Sequence, residues 1–249
     1  MIFLAIDTGG DYAVLALGDT TRPNAVIGSL AFEGRRTLSV QLFRQIDALL
    51  AANGLTQDAV EAYAVGIGPG SFTGLRVGMT TMKTLAQVTG RPLVGVGTLD
   101  AYAASLAFET PGQCLVPVIH SRRNEVYTAI YVSGKLVEGP LAIAPSELEQ
   151  RLEAYRKDNT IVFAGERGVI AQCNGVPIGV PYVPADGLVK LAAARLAQGD
   201  FDDPLGLLPA YVALPTITTP KQTHPSASGL PSKPTPGLRP PPPADGKGL

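Results

Sequence analysis

The spacing of the apolar residues changes near Thr37, and this change constrains the fold more than any other feature of the chain. Before Thr37, short apolar runs end at Gly, Asp or Pro residues, as β-strands do; they lie at 2–6, 12–17 and 25–32. From Thr37 to Ala52 the apolar residues recur at the spacing of an amphipathic helix. We therefore expect three adjacent strands followed by a helix.

Strands and helices alternate after this first helix. The pattern predicts strands at 62–67 and 93–97, followed by helices at 72–89 and 98–107, the second of which Thr98 can cap. A shorter version of the same order then follows. It comprises strands near 114–119, 125–132 and 135–138, a helix at 146–156, a strand at 160–164 and a helix near 187–198, with a hairpin turn at Ser133-Gly134.

This order of elements predicts an α/β fold. It is the order of two ribonuclease-H-like lobes side by side, the architecture of the actin-like ATPase and sugar kinase superfamily, with the second lobe shortened. We expect an N-terminal lobe at 1–108 and a C-terminal lobe at 109–214.

The end of the chain has a different composition. Residues 215–249 contain ten of the 22 prolines and the run Arg239-Pro-Pro-Pro-Pro, which predicts a disordered Pro-rich tail. The tail holds four basic residues and one acidic residue, so the remaining residues carry a formal charge of −4. That charge argues against direct nucleic-acid binding by this chain alone.

The counts of histidine and cysteine limit the possible chemistry. Two His and two Cys, with no CxxC spacing, give neither a zinc ligand set nor a disulfide framework, so we predict no metal site and a reduced, cytoplasmic setting. No apolar run approaches the roughly 20 residues that a membrane-spanning helix needs. We therefore expect a soluble protein.

A glycine-rich segment is the most informative motif. Gly68 and Gly70 allow a tight turn between a strand and a helix, and Ser71 or Thr73 can cap that helix. The free amides at the helix start could hold an anion, with Arg76 as a charge partner. The segment matches neither GxxxxGK[ST] nor GxGxxG, and a purely structural turn explains it equally well.

Two further segments are candidates for phosphate contact. Asp7 and Thr8 lie between the first two strands, where a carboxylate can meet a metal-bound phosphate or simply close a hairpin. On the hairpin after His120, Arg123 and Glu125 would share one face and could pair, or the hairpin could be solvated.

Taken together, these segments resemble one known family. The motifs are Ile6-Asp7-Thr8, Gly68-Pro69-Gly70-Ser71-Phe72-Thr73-Gly74-Leu75-Arg76, Gly95-Val96-Gly97-Thr98-Leu99 and Arg122-Arg123-Asn124-Glu125-Val126-Tyr127. They are similar, in order, to those of the TsaB family, also called YeaZ, and the resemblance extends to about residue 212. The block from Gly68 to Arg76 is the most specific of them.

The resemblance implies a function for the chain. TsaB proteins are non-catalytic paralogues of TsaD, the metal-dependent transferase that they join in forming N6-threonylcarbamoyladenosine on tRNA; a TsaE ATPase joins the pair. ATP and metal would then belong to the partner subunits, with no cofactor here and tRNA bound only within the complex. A homodimer is the arrangement expected when the partner is absent.

The same resemblance suggests an interface and an alternative. The helices at 37–52 and 72–89 would contact the partner, and the residues expected there are Val40, Phe43, Met79 and Met82. Where the family has Asp, this chain has His120, so the second phosphate-facing loop lacks a carboxylate. The alternative is a stand-alone ATPase or small-molecule kinase that uses Asp7; a protease is excluded because neither HExxH nor GxSxG is present.

Overall fold

The computed structural model describes most of the first 212 residues. These are residues 1–22, 26–34, 37–105, 112–121, 124–174, 179, 181–210 and 212, all within the unit Met1–Leu214. The Pro-rich tail predicted at 215–249 lies outside the described residues, as do Arg122 and Arg123.

The first sheet has five strands in the order β3-β2-β1-β4-β5. β1 pairs antiparallel with β2, and β2 with β3, whereas β1–β4 and β4–β5 are parallel. The strands are β1 Ile2–Asp7, β2 Tyr12–Asp19, β3 Val26–Glu33, β4 Ala62–Gly68 and β5 Leu93–Gly97. This is the ribonuclease-H-like order that the sequence predicted.

The second sheet repeats the first four positions of that order. Its strands run β8-β7-β6-β9, with β6 and β9 parallel and the other pairs antiparallel. They are β6 Gln113–His120, β7 Val126–Val132, β8 Lys135–Ile143 and β9 Thr160–Gly165. The described residues add no fifth strand, so the α/β fold with a shortened second half is confirmed.

Helices cover the sheets. They are α1 Leu38–Ala52, α2 Phe72–Thr89, α3 Thr98–Ala104, α4 Pro145–Arg156, α5 Arg167–Ile170 and α6 Ala185–Ala197, with 3₁₀ turns at Gln57–Ala59 and Ala171–Cys173. α1 and α2 pack on one face of the first sheet, and α3 and α6 on the other. α4 and α5 pack on the second sheet.

The periodicity of α1 explains its position. Leu38, Leu42, Ile46, Leu49 and Leu50 are the buried residues of this helix, as the spacing predicted. The turn between β7 and β8 is also confirmed, because Ser133 and Gly134 both have positive φ, 50° and 74°.

Three details differ from the sequence-based expectations. β8 extends to Ile143 rather than 138. The N-cap of α3 is Gly97 rather than Thr98, because the Thr98 hydroxyl is bonded elsewhere. α6 follows the second sheet in sequence yet packs against β2 and β5 of the first sheet, because its apolar stripe completes that face.

Candidate functional site

The carboxylate of Asp7, at the end of β1, accepts hydrogen bonds from two neighbouring groups. Asp7 is 1% exposed. The Gly9 amide donates to its Oδ1 at 2.8 Å, and the Thr98 hydroxyl donates to its Oδ2 at 2.7 Å. Thr98 Oγ1 in turn accepts from the Gly68 amide at 3.1 Å, so β1, α3 and the end of β4 are tied together. Burial raises the pKa of Asp7, although both hydrogen bonds lower it.

The glycine-rich turn packs directly on the turn between β1 and β2. The Ser71 amide donates to the Gly9 carbonyl at 2.6 Å, and the Thr8 hydroxyl donates to the Gly74 carbonyl at 2.8 Å. A Cβ on Gly70 would lie 2.5 Å from the Gly9 oxygen, and one on Gly74 would overlap the Thr8 carbonyl. The glycines at these positions are thus required by the close approach of two backbones.

Two backbone amides at the start of α2, those of Ser71 and Gly74, are hydrogen-bonded within the chain. Ser71 is the N-cap, and its hydroxyl accepts from the Gly74 amide at 3.3 Å. The Arg76 guanidinium lies 3.8 Å from the centre of the Phe72 ring, as a cation–π contact. A cavity of about 180 Å³ opens beside the helix start, but Asp11 is among its lining residues and its charge opposes an anion there. Nucleotide or anion contact by this turn stays a prediction.

Sequence reasoning missed Glu166, which follows β9 directly and is 8% exposed. Its Oε1 accepts from the Asp11 amide at 3.3 Å, and its Oε2 accepts from the His120 amide at 3.1 Å. Burial, and then the charge of Asp11, raise the pKa of Glu166. The available signal was its position, because polar residues at the carboxyl ends of parallel strands meet at one edge of a sheet.

Glu166 thus brings a carboxylate close to His120 from the end of β9, whereas a phosphate-contacting role of this loop stays a prediction. Tyr102 on α3 is buried near both Asp7 and Glu166. Burial raises the pKa of its hydroxyl, and the charges of the two acids raise it further. Within the described ranges, no three acidic, His or Cys side chains are grouped so that they could hold a metal ion.

The loop after His120 is described only in part. The Ser121 amide donates to the Glu125 carbonyl at 3.3 Å, and Tyr127 pairs with Ile119 across the β6–β7 ladder. The predicted pairing of Arg123 with Glu125 cannot be placed, since Arg123 lies outside the described residues.

Of the four residues predicted at the partner interface, two are exposed and two are buried, and the interface itself stays a prediction. Val40 and Phe43 on α1 are 71% and 55% exposed. Met79 and Met82 on α2 are 4% and 0% exposed and belong to the core beneath α1 and α2. They face the first sheet because they share the helical stripe of Leu75 and Ala86, so they cannot contact a partner while this core is intact.

A larger groove of about 840 Å³ lies away from these groups, between α3, α6 and the β7–β8 hairpin. On its wall the Tyr131 hydroxyl donates to Asp100 at 2.8 Å. Neither Asp7 nor the glycine-rich turn lines this groove.

Comparisons with known proteins agree with the architecture. The family model described as TsaD, tRNA N6-adenosine threonylcarbamoyltransferase, matches residues 32–155. The Bacillus subtilis tRNA threonylcarbamoyladenosine biosynthesis protein TsaB is 30% identical over 167 residues, which cover 66% of this chain and 71% of that protein. The Haemophilus influenzae protein of the same name is 35% identical over 140 residues, covering 55% of this chain and 56% of that one.

Other relatives are matched over a smaller part of their length. An uncharacterized Mycobacterium leprae protein is 35% identical over 149 residues, or 55% of this chain and 40% of that protein, so the chain spans less than half of that relative. A crystal structure described as an uncharacterized protein with similarity to peptidase YEAZ from Pseudomonas aeruginosa superimposes with a TM-score of 0.71. It is 25% identical and covers 85% of this chain and 99% of its own.

The two sheets and the packed glycine turn define an α/β protein of the two-lobed, ribonuclease-H-like class. Within that class, the chain belongs to the TsaB family, also called YeaZ. Among its described helices, none has both the length and the apolar character required to cross a membrane.

Proposed function

We propose that this chain is a non-catalytic subunit that binds a TsaD-like transferase and supports the transfer of threonylcarbamoyl to adenosine of tRNA. The names of its TsaB relatives and the TsaD family model support a role in this modification. In this proposal a TsaE-like ATPase joins the pair, ATP and metal are bound by the partners, and tRNA is contacted only within the complex. The setting is the cytoplasm.

The observation that carries the proposal is the outward face of α1. Val40 and Phe43 are three residues apart and therefore neighbours on the helix surface. Both expose most of their side chains, whereas the opposite face of the same helix is buried. Exposed aromatic side chains beside other apolar groups are typical anchors of protein interfaces. The same surface also suits a second copy of this chain when the transferase is absent.

Substitution of Phe43 tests this interface. Phe43→Asp places a charge at the centre of the proposed contact, so we expect the affinity for the TsaD-like partner to fall at least about tenfold. Titration calorimetry with the purified partner measures it. The matched control is Val137→Asp, an exposed apolar position on β8 of the second sheet, which should leave the affinity unchanged. Equal affinity of Phe43→Asp and wild type would remove α1 from the interface.

The geometry of Asp7 argues against the stand-alone ATPase or kinase. Both of its oxygens already accept hydrogen bonds inside the fold, and the side chain is almost fully buried. A carboxylate whose two oxygens are engaged in this way is a poor partner for a metal-bound phosphate. We therefore expect no magnesium-dependent heat when ATP is titrated into the isolated chain; tight binding would favour the enzyme instead.

A further inference from the structure

Glu166 connects the two sheets at the point where β1 and β6 end. Its side chain is almost completely buried, and it reaches the Asp11 amide in the turn after β1 and the His120 amide at the end of β6. One side chain thus contacts the backbone of both halves of the molecule. The function proposed above does not use this residue.

The backbone around Glu166 is fixed on the second sheet. The Glu166 amide donates to the Val118 carbonyl at 3.1 Å, which extends the β6–β9 pairing by one residue. Its carbonyl accepts from the amides of Val169 and Ile170, both at 2.9 Å, so α5 starts directly from it. The carboxylate therefore projects from a fixed backbone, so holding it between the two amides costs side-chain entropy only.

On the first sheet, the contact leads into the glycine-rich turn. Asp11 lies two residues after Gly9, whose carbonyl accepts from the Ser71 amide at the start of α2. Glu166 thereby joins β6 to the support of α2 through the β1–β2 turn.

We propose that the Glu166 carboxylate is a built-in anion that fills the amide pair of Asp11 and His120 and clamps the two sheets together at this edge. Two backbone amides that converge from separate elements resemble a small anion site. Here each of them already has an oxygen of Glu166 as its acceptor. The clamp needs no ligand, and it keeps an external anion such as phosphate away from the pair.

Charged groups of both signs lie near the clamp. The charge of Asp11 raises the pKa of Glu166, whereas the charge of His120 lowers it. Glu166 is held in place by the fold, so a free anion would have to displace it from both amides. The clamp is independent of the proposed partner and would exist in the isolated chain.

Residue-resolved amide hydrogen exchange, measured by NMR on the full chain, tests the proposal. In Glu166→Ala both amides lose their acceptor, and we expect the exchange of Asp11 and His120 to accelerate about tenfold or more. Glu166→Gln keeps one oxygen and is close in shape, so only one of the two amides should accelerate. Unchanged amide exchange at Ile6 and Leu15 in the core of the first sheet shows that each variant is folded.

The control is Glu149→Gln, which removes a carboxylate paired with Arg156 on α4 and touches neither amide. It should leave both exchange rates as in wild type. If both amides exchange in Glu166→Gln at the wild-type rate, the clamp is wrong. A second arm adds inorganic phosphate to wild type: the two amide signals should stay in place, and movement of either would show an accessible anion site and overturn the proposal.

Discussion

The turn after β1 and the outward face of α1 belong to the same half of the molecule but have opposite character. In the turn, Asp7, Thr8 and Ser71 are all hydrogen-bonded, and the glycines opposite them leave no space for a side chain. On α1, Val40 and Phe43 project into solvent. The residues of the most specific motif thus hold the fold together, whereas the proposed contact surface has no motif. A distinctive sequence block can report close packing rather than ligand chemistry.

The largest change in the free energy of unfolding is expected for a substitution in the glycine-rich turn. Gly74→Ala would push a Cβ into the Thr8 carbonyl, so we expect the free energy of unfolding to fall by about 3 kcal/mol, measured by urea denaturation. The control is Gly168→Ala in α5, where a Cβ would meet nothing within 4 Å. That change should be neutral or slightly stabilising, because alanine favours the helix. A loss at Gly74 no larger than at Gly168 would mean that the two backbones are not in close contact.

The next largest effect is on the pH dependence of stability, and it comes from the buried carboxylate of Asp7. The folded state raises the pKa of Asp7 above 3.8, so between that value and the raised one it binds more protons than the unfolded chain. The contribution of Asp7 to the free energy of unfolding should therefore fall as pH rises through this window.

Asp7→Asn removes this proton linkage. Its stability should vary less with pH than that of wild type over the same range, as judged by thermal unfolding in a pH series. Asp19→Asn is the opposite control, because hydrogen bonds from Thr21 lower the pKa of Asp19 and make it stabilising above its ordinary pKa. Identical pH profiles for wild type and Asp7→Asn would show that Asp7 is not held as described.

The smallest change in the free energy of unfolding is expected for a substitution on the outward face of α1. In the isolated chain, Phe43→Asp should change the free energy of unfolding by no more than about 0.5 kcal/mol, because the side chain is largely in solvent. Urea denaturation of the monomeric variant measures it. A loss comparable to that of Gly74→Ala would indicate that Phe43 belongs to the core, and the contrast between the two regions would disappear.

Much of the fold could be predicted because it depends on local patterns. α1 and α2 end where their helical periodicity ends, at Asn53 and Gly90, and the strand order follows from the alternation of elements. Met79 and Met82 show the limit of this reasoning. Their spacing already placed them on the buried stripe, and assigning them to an interface went against that pattern.

The parts of the site that periodicity and motifs did not predict depend on contacts between distant elements. Glu166 meets Asp11 across 155 residues and His120 across 46, and neither separation leaves a periodic signal. The requirement for Gly74 likewise comes from the approach of Thr8, 66 residues earlier. Such tertiary contacts decide whether a glycine-rich turn binds an anion or packs against its own chain.

Reconstitution of tRNA threonylcarbamoylation tests the central claim most directly. The TsaD-like and TsaE-like partners, supplied with tRNA, ATP and a threonylcarbamoyl donor, are assayed for N6-threonylcarbamoyladenosine without this chain, with wild type and with Phe43→Asp. The proposed function predicts little product without the chain, restoration by wild type and no restoration by Phe43→Asp. Full activity in the absence of the chain would contradict it.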